Sequence, residues 1–373
     1  SGSLSAQSLD VAPNGTLILS NPDSFNSSGT IVNVSGAINV HGTVKFRGAT
    51  MFCKTMNITA LGRVSGFKMG YSKGTGHVAG SSGTGWSGGA HAGKGGDYDH
   101  STRTDHGASV LYGSMSHPVH FGSGAGPFGN GQPGGGAVRI VASESVMVSG
   151  IIEANGGDSG EDYGAGGAGG SVLINTPTLT LAGDDEESLF SNIPLLVPAR
   201  SGCEDEADSS CDECQGDCKS NSECAGHLQC YQRSFVTDMV PGCDTTTVSE
   251  GMDICFDPLL LNPRGSIMAN GGAVSGTYGG GGGGGRVALH VDVFTFRGSG
   301  ILGAKGGDRR ADGNNHAGAD GTVYINSTKL VEKRLAVPSG ASLVGLVSLE
   351  EDAPWESVDV HGTLAPRDPL FSP

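Results

Sequence analysis

Along the first sixty residues apolar and polar side chains alternate in short bursts, GTLILS, GTIVNVSG and AINVHGTVKF, separated by Asn-Gly or Ser-Gly corners. A period of two predicts strands with one buried face. These strands are short, about 3 to 6 residues, which suits a chain that keeps turning one way. The alternation recurs in a larger unit. SVMVSGIIEANGGD (145–158) leads through a glycine stretch into GGSVLIN (169–175), and VFTFRGSGILGAKGGD (293–308) leads into DGTVYIN (320–326). SIMANGG (266–272) runs through glycines 279–285 into RVALHVDV (286–293), and a divergent copy has Gly95-Gly96-Asp97 and ends in GGGAVRIVA (134–142). The unit is strand, Gly-Gly, loop, Gly-Gly, strand.

This repetition predicts an all-β protein, a right-handed parallel β-helix (β-solenoid) with glycine-rich loops and a small disulfide-rich insertion. Coils would stack at about 4.8 Å with inward ladders of Val, Ile and Leu. Roughly 300 residues at about 20–30 per coil would give about a dozen coils and a rod of about 60 Å. Glycines would supply positive φ at corners and let extended, polyproline-II-like loops run side by side. A β-sandwich is the rival fold, although long glycine loops at repeated positions count against it. The expected division is a first solenoid part at 1–183 with a long glycine- and histidine-rich loop at 70–134, an insertion at 184–258, and a second solenoid part at 259–373. Near the C-terminus SVDVHGTLAP (357–366) matches AINVHGTVKF (37–46), and LDVAPNGTLIL (9–19) is a looser copy. Ends that resemble inner coils expose strand edges, so either the chain is a piece of a longer solenoid or its ends stack on neighbours.

Composition sharpens this picture. Glycine supplies 66 of 373 residues, yet only 16% are charged and 36% are hydrophobic, which argues against disorder. The glycines follow no three-residue period, so collagen is excluded. No apolar run is long enough for a membrane-spanning helix. The net charge of −16 is uneven: residues 184–255 hold 16 acids against Arg200, Lys219 and Arg233. An acidic chain without clustered Lys and Arg is a poor nucleic-acid binder. The same segment carries Cys203, Cys211, Cys214, Cys218, Cys224, Cys230, Cys243 and Cys255, a disulfide density that predicts an oxidising, extracellular setting. One CxxC (Cys211 to Cys214) without a second makes zinc the weaker reading. Cys53, in a strand-like run, reads as a buried free thiol, with an intermolecular disulfide as the alternative. N-glycosylation sequons at Asn14, Asn26, Asn33, Asn57 and Asn326 agree with secretion. With no initiator Met or signal peptide, the chain reads as processed or as a fragment.

Glycine abundance also manufactures motifs. Gly83 to Gly88 fits GxGxxG without a following helix, and Gly95 stands where a Walker A loop needs Ser or Thr. The GxSxG matches at Ser72 and Ser87 lack a strand-to-helix elbow. No acid pair suggests a polysaccharide-cleaving site. One cluster stands out: His77, His91, His100, His106, His117 and His120 interleave with Asp97, Asp99 and Asp105. Ordinary hydrogen-bonding loop residues are the first reading; divalent-ion ligation at Asp97, Asp99, His100, Asp105 and His106 is the second. Loop acids Asp97, Asp158, Asp308, Asp312 and Asp320 are candidates for calcium. No other cofactor is expected. Trp86, Tyr98 and Tyr112 are candidate exposed sugar-stacking aromatics.

The glycine units (IIEANGGDSGEDYGAGGAGGSVLIN; YGGGGGGGRVALHV) resemble the glycine-rich β-helical repeats of large secreted proteins in algae, oomycetes and other protists. CDECQGDCKSNSECAGHLQCYQR (211–233) resembles a cysteine-rich, EGF-sized module in such proteins. The combination is similar to tubular mastigoneme proteins, which build flagellar hairs in stramenopiles. That resemblance implies an extracellular fibre subunit at a cell surface or flagellar appendage and assigns no catalytic residue. The expectation is therefore a glycosylated, non-enzymatic protein that self-associates into filaments. An adhesin or glycan-binding module is the alternative, and a polysaccharide-active enzyme the third reading.

Overall fold

The computed structural model describes residues 3–19, 30–78, 81–100, 103–105, 108–159, 163–181, 265–274, 279–296, 301–308 and 316–331, with shorter segments at 197–198, 200–201, 215–216, 229–231, 243–244, 253–256, 334–337, 342–344, 357–360 and 363–365. The chain is all-β, with no helix among these residues. It divides into two compact units, residues 1–183 with 264–373, and residues 184–263.

The first unit is built on two large sheets whose strand pairs are all parallel. The larger has eleven strands, with Gly48–Ile58, Ala137–Val148, Ser171–Leu181, Arg286–Phe296 and Thr322–Val331 as consecutive neighbours at its centre. The smaller has six, in the order Thr16–Leu19, Thr43–Phe46, Arg63–Ser65, Ile151–Glu153, Ser266–Met268 and Ile301–Gly303. The chain visits them alternately: a long strand, a short strand in the other sheet, a glycine segment, then the next long strand beside the previous one. Neighbours follow chain order and parallel pairing prevails, which an antiparallel sandwich does not give and which is compatible with a β-solenoid.

Parallel in-register pairing turns the alternation in sequence into ladders in space. Val32, Met51, Ile140, Ile174, Leu289 and Ile325 occupy one row across the larger sheet, each at most 1% exposed. Leu17, Val44, Val64, Ile152, Ile267 and Leu302 form the matching row of the smaller sheet. Burying each such side chain contributes about 1.5–3 kcal/mol. RVALHVDV (286–293) and the run that opens at Val293, expected in two different units, form one strand, Arg286–Phe296. The phase of burial slips mid-strand: Met51 and Cys53 are buried, then Met56 and Ile58. The register shifts at the same level between Val141 and Ser145. Each long strand is two short strands joined at a bend, and pairing continues through the bend.

Repeated Ala-Asn-Gly-Gly has a local explanation. Asn155 Oδ1 accepts from the Asn270 amide at 2.7 Å, and Asn270 Oδ1 accepts from the Lys305 amide at 2.8 Å. Each asparagine thus ties its turn of chain to the equivalent position of the next. Glu153, buried two residues earlier, accepts from Arg63, Ser65 and Asn155.

The glycine segments are packed backbone against backbone. Gly135 N donates to Ala168 O, Gly169 N to Gly283 O, Gly283 N to Gly89 O and Gly307 N to Gly282 O, all between 2.7 and 2.9 Å. A Cβ on Gly135 would collide with the carbonyl oxygen of Ala154, and one on Gly272 with that of Gly157.

The match between 357–366 and 37–46 does not carry into position. Ala37–Val40 lies in the larger sheet and Thr43–Phe46 in the smaller. Ser357–Val360 instead pairs with Arg334–Val337 in a separate sheet, while Thr363–Ala365 joins the larger one. The same pattern therefore serves different faces at the two ends.

In the second unit, Gln229–Tyr231 pairs antiparallel with Ile254–Phe256, and Gln215–Gly216 joins them. Ile254 and Cys255 are fully buried, and Cys230 and Cys255 each take part in a disulfide. Cys243 begins a two-residue strand. Cys203, Cys211, Cys214, Cys218 and Cys224 lie outside the described residues.

Cys53 is a free thiol in the core, 7% exposed, and burial pushes it up to about 11. It is expected to resist a thiol-labelling reagent at about pH 8 until denaturant is added; labelling in the folded protein at the rate of a free thiol would contradict this burial. Gly135→Ala is expected to destabilise the protein by about 3 kcal/mol in urea unfolding. Gly303→Ala, whose Cβ would meet only Asn270 Oδ1 at 3.6 Å, should change stability by less than about 1 kcal/mol. Equal effects at the two positions would refute the packing argument.

Candidate functional site

Three of the six clustered histidines, His77, His91 and His120, meet around a partner the sequence reading missed. Arg286 begins the strand Arg286–Phe296 and is 7% exposed. Its row across the sheet runs Ala137, Ser171, Arg286, Thr322. A cation thus stands where the other repeats place small residues, and that was the available signal. Its Nε and Nη2 donate to Tyr112 O at 3.0 and 2.8 Å, and Nη1 to Thr322 Oγ1 at 3.1 Å. Both acceptors are neutral oxygens, so the guanidinium is buried without a carboxylate among the described residues.

Around it the rings pack together. His91 is fully buried and stacks on Tyr112 with centroids 4.6 Å apart. Tyr112 OH donates to Phe121 O at 2.6 Å and lies 2.8 Å from Ser123 Oγ. His77 packs on Tyr112 at 5.0 Å and on His120 at 4.0 Å, and its Nδ1 is 3.2 Å from Tyr71 OH. His117 joins a second group, 4.9 Å from His290, which lies 5.5 Å from Tyr324. Gly113 makes this closeness possible. Its φ of +83° is in the left-handed region, and a Cβ there would sit 3.3–3.4 Å from His120, Arg286 and His91.

Burial fixes the ionisation. His91 Nδ1 lies 2.8 Å from Gly169 O, an acceptor, so this nitrogen carries the proton and Nε2 holds a lone pair. Nε2 is buried with no hydrogen-bond partner. Burial first, then the Arg286 charge, lowers His91 to about 3. Burial, His77 and Arg286 lower His120 as well. Burial raises the Tyr112 phenol. The result is a neutral aromatic layer over a buried cation. Rings stacked on one another present faces rather than converging lone pairs, a poor arrangement for chelation.

Asp97 is exposed. Asp99 and His100 lie in a short antiparallel pair, Tyr98–His100 with Arg103–Asp105, which also holds Asp105. His106 lies outside the described residues. Among those residues no group of three or more His, Cys, Asp or Glu is placed to hold a metal ion. The loop acids have local partners: Asp158 accepts from the Ala273 amide, Asp308 pairs with Lys305 at 2.6 Å, and Asp320 accepts from the Gly306 amide. Asp312 lies outside the described residues. Of the three aromatics expected on the surface, Tyr112 is buried because its ring stacks on His91 and its hydroxyl is committed to the chain. Trp86 is half-buried against Phe128 and Tyr163, each at 5.7 Å; those two rings are exposed.

Asn14, Asn33 and Asn326 are exposed and Asn57 is half-buried, while Asn26 lies outside the described residues. Asn33 and Asn326 share one row of the larger sheet, through Phe52, Val141, Asn175 and His290. No helix among the described residues is long and apolar enough to cross a membrane. Compared with protein-family models, curated proteins and solved structures, the chain matches none.

The lowered His91 makes stability depend on pH. Its folded value lies below the ordinary imidazole value of about 6.5, so between about 3 and 6.5 the unfolded chain binds more protons. Stability is fully present above about 6.5 and falls as pH drops through that window. Urea midpoints measured from about pH 7.5 to about pH 4 should decline, and His91→Gln should flatten the decline. A slope unchanged in His91→Gln would remove His91 as its source.

Proposed function

We propose that the protein is a non-enzymatic, extracellular scaffold: a right-handed parallel β-solenoid, secreted and N-glycosylated, that stacks end to end into a filament or surface appendage. Crossovers between parallel strands are right-handed in almost all proteins, which supports the hand. The stacking reading is carried by the open edges of the larger sheet. Ser3–Ala6 ends it on one side and Thr363–Ala365 on the other, and neither has an outer neighbour among the described residues. A parallel edge offers a row of unpaired amides and carbonyls to another chain. A second copy would continue the same ladder. Disulfides and sequons are consistent with secretion, and the acidic cysteine-rich unit would decorate the rod or lock neighbours together. No calcium or other cofactor is required by this reading.

A glycan-binding role is the second reading. The observation favouring it is the Trp86, Phe128 and Tyr163 group, whose Phe128 and Tyr163 rings are 46% and 43% exposed.

Electron microscopy and sedimentation over a range of concentrations test the assembly. The wild-type chain should form fibres, and Leu4→Lys, which places a charge on the exposed edge strand, should shift it to monomers without lowering its unfolding midpoint. A wild-type chain that stays monomeric at all concentrations would overturn the proposal.

A further inference from the structure

The segment 109–121 lies across the outside of the larger sheet; its flanks Ala108 and Gly122 are bonded into the glycine segments through Gly88, Gly95, Tyr71 and Gly135, and the stretch between is held mainly by its own carbonyl groups. Ser171 donates to His120 O at 2.6 Å, Arg286 to Tyr112 O, and the His290 Nε2 proton goes to Ser116 O at 2.6 Å. Two neighbouring strands, Ser171–Leu181 and Arg286–Phe296, thus grip one overlying strap. Its outward side carries Val110, Leu111 and Val119, 40–46% exposed.

Side-chain contacts between strap and body are dominated by imidazole. His120 of the strap packs on His77 of the body at 4.0 Å with planes 36° apart, and His117 of the strap meets His290 of the sheet at 4.9 Å and 37°. Between them Tyr112 stacks on His91. The other groups facing the strap are Arg286 beneath it, Arg47 5.7 Å from the Phe121 ring, Tyr71 at 5.8 Å from the same ring, and Tyr324 against His290. None of these five histidines, nor Arg286, has a carboxylate partner among the described residues. Asp292, the acid on the strand of His290, is exposed.

We propose that residues 109–121 form an acid-released strap: neutral imidazoles packed in two tilted pairs hold it down near neutral pH, and protonation of both pairs lifts it from the sheet. Each pair has one member on either side of the contact, so a second proton places like charges about 4–5 Å apart across it. Near a protein surface a like-charge pair at that distance shifts opening by about tenfold or more. Imidazole is the side chain that makes this change between about pH 8 and pH 5. Buried Arg286 adds a third positive charge beneath. Lowering of His120 has the same sign: the docked strap takes up protons less readily than the released one, so its hold is present above about pH 6.5 and weakens as pH falls. The His290 bond to Ser116 O survives protonation, because its Nε2 already carries the donated proton; repulsion from His117 is what changes there. Release would uncover Arg286, His290 and Thr322 on the outer face of the sheet.

Amide hydrogen exchange of the full chain, read by mass spectrometry at about pH 7.5 and about pH 5 and corrected for the intrinsic rate, tests the proposal. Peptides from 109–121 should lose about tenfold or more of their protection at the lower pH beyond whatever peptides from Ser171–Leu181 lose through the falling stability of the whole unit. The double variant His77→Gln/His117→Gln changes two exposed residues and leaves the core intact; it should hold the strap's protection within about threefold. Equal protection of the strap at both pH values would overturn the proposal. So would a double variant that opens as far as the wild type, or a wild type in which the strap loses no more protection than the sheet.

Discussion

The rest of the structure depends on backbone meeting backbone between glycine segments, at distances that leave no room for a Cβ. A loop in most proteins hands its amides and carbonyls to water. Here Gly169, Gly283 and Gly89 hand them to one another in series, as Gly122 does to Gly135 and Gly307 to Gly282. Buried polar backbone is tolerated only when it is paired. The pairing fixes the distance between successive turns of chain, and that distance is the one at which the strands on either side also pair. Glycine costs conformational entropy on folding. In this chain the cost is offset by hydrogen bonds that no larger residue would permit.

Much of this was legible in the sequence because the determinants are local and repeat. Period-two alternation gave the ladders, and the recurring Gly-Gly pairs gave the points where strand passes into glycine segment; the asparagine bonds that tie one turn of chain to the next show only in the structure. Continuity of the long strands was harder to see. The phase slip between Cys53 and Met56 looks like a strand end, yet pairing carries on through a bend. Likeness between 357–366 and 37–46 also misled. A strand, a His-Gly corner and a strand fit any corner of the turn, so the motif specifies local shape and not which face it occupies.

The histidine group shows the same limit from another side. Six histidines in one stretch were visible, but their chemistry turns on Arg286, which lies 174 residues from Tyr112 in the chain. Only the register of Ala137, Ser171, Arg286 and Thr322 brings the two together. That placement replaces a loop with scattered acids and imidazoles by a neutral aromatic layer over a cation. Asp99, His100 and Asp105 go to a separate strand pair. The acids of the glycine turns go to amides and to Lys305, which ties them to the architecture that the glycines define.

The central claim is that the glycine segments are part of the core. Native-state hydrogen exchange of individual amides, resolved by NMR at a single neutral pH, tests it most directly. The account predicts that Gly135, Gly169 and Gly283 exchange as slowly as Val172 and Val287 in the adjoining strands, through opening of the whole unit. Exchange of these glycines within minutes, at the rate of surface loops, while the strands stay protected, would contradict it.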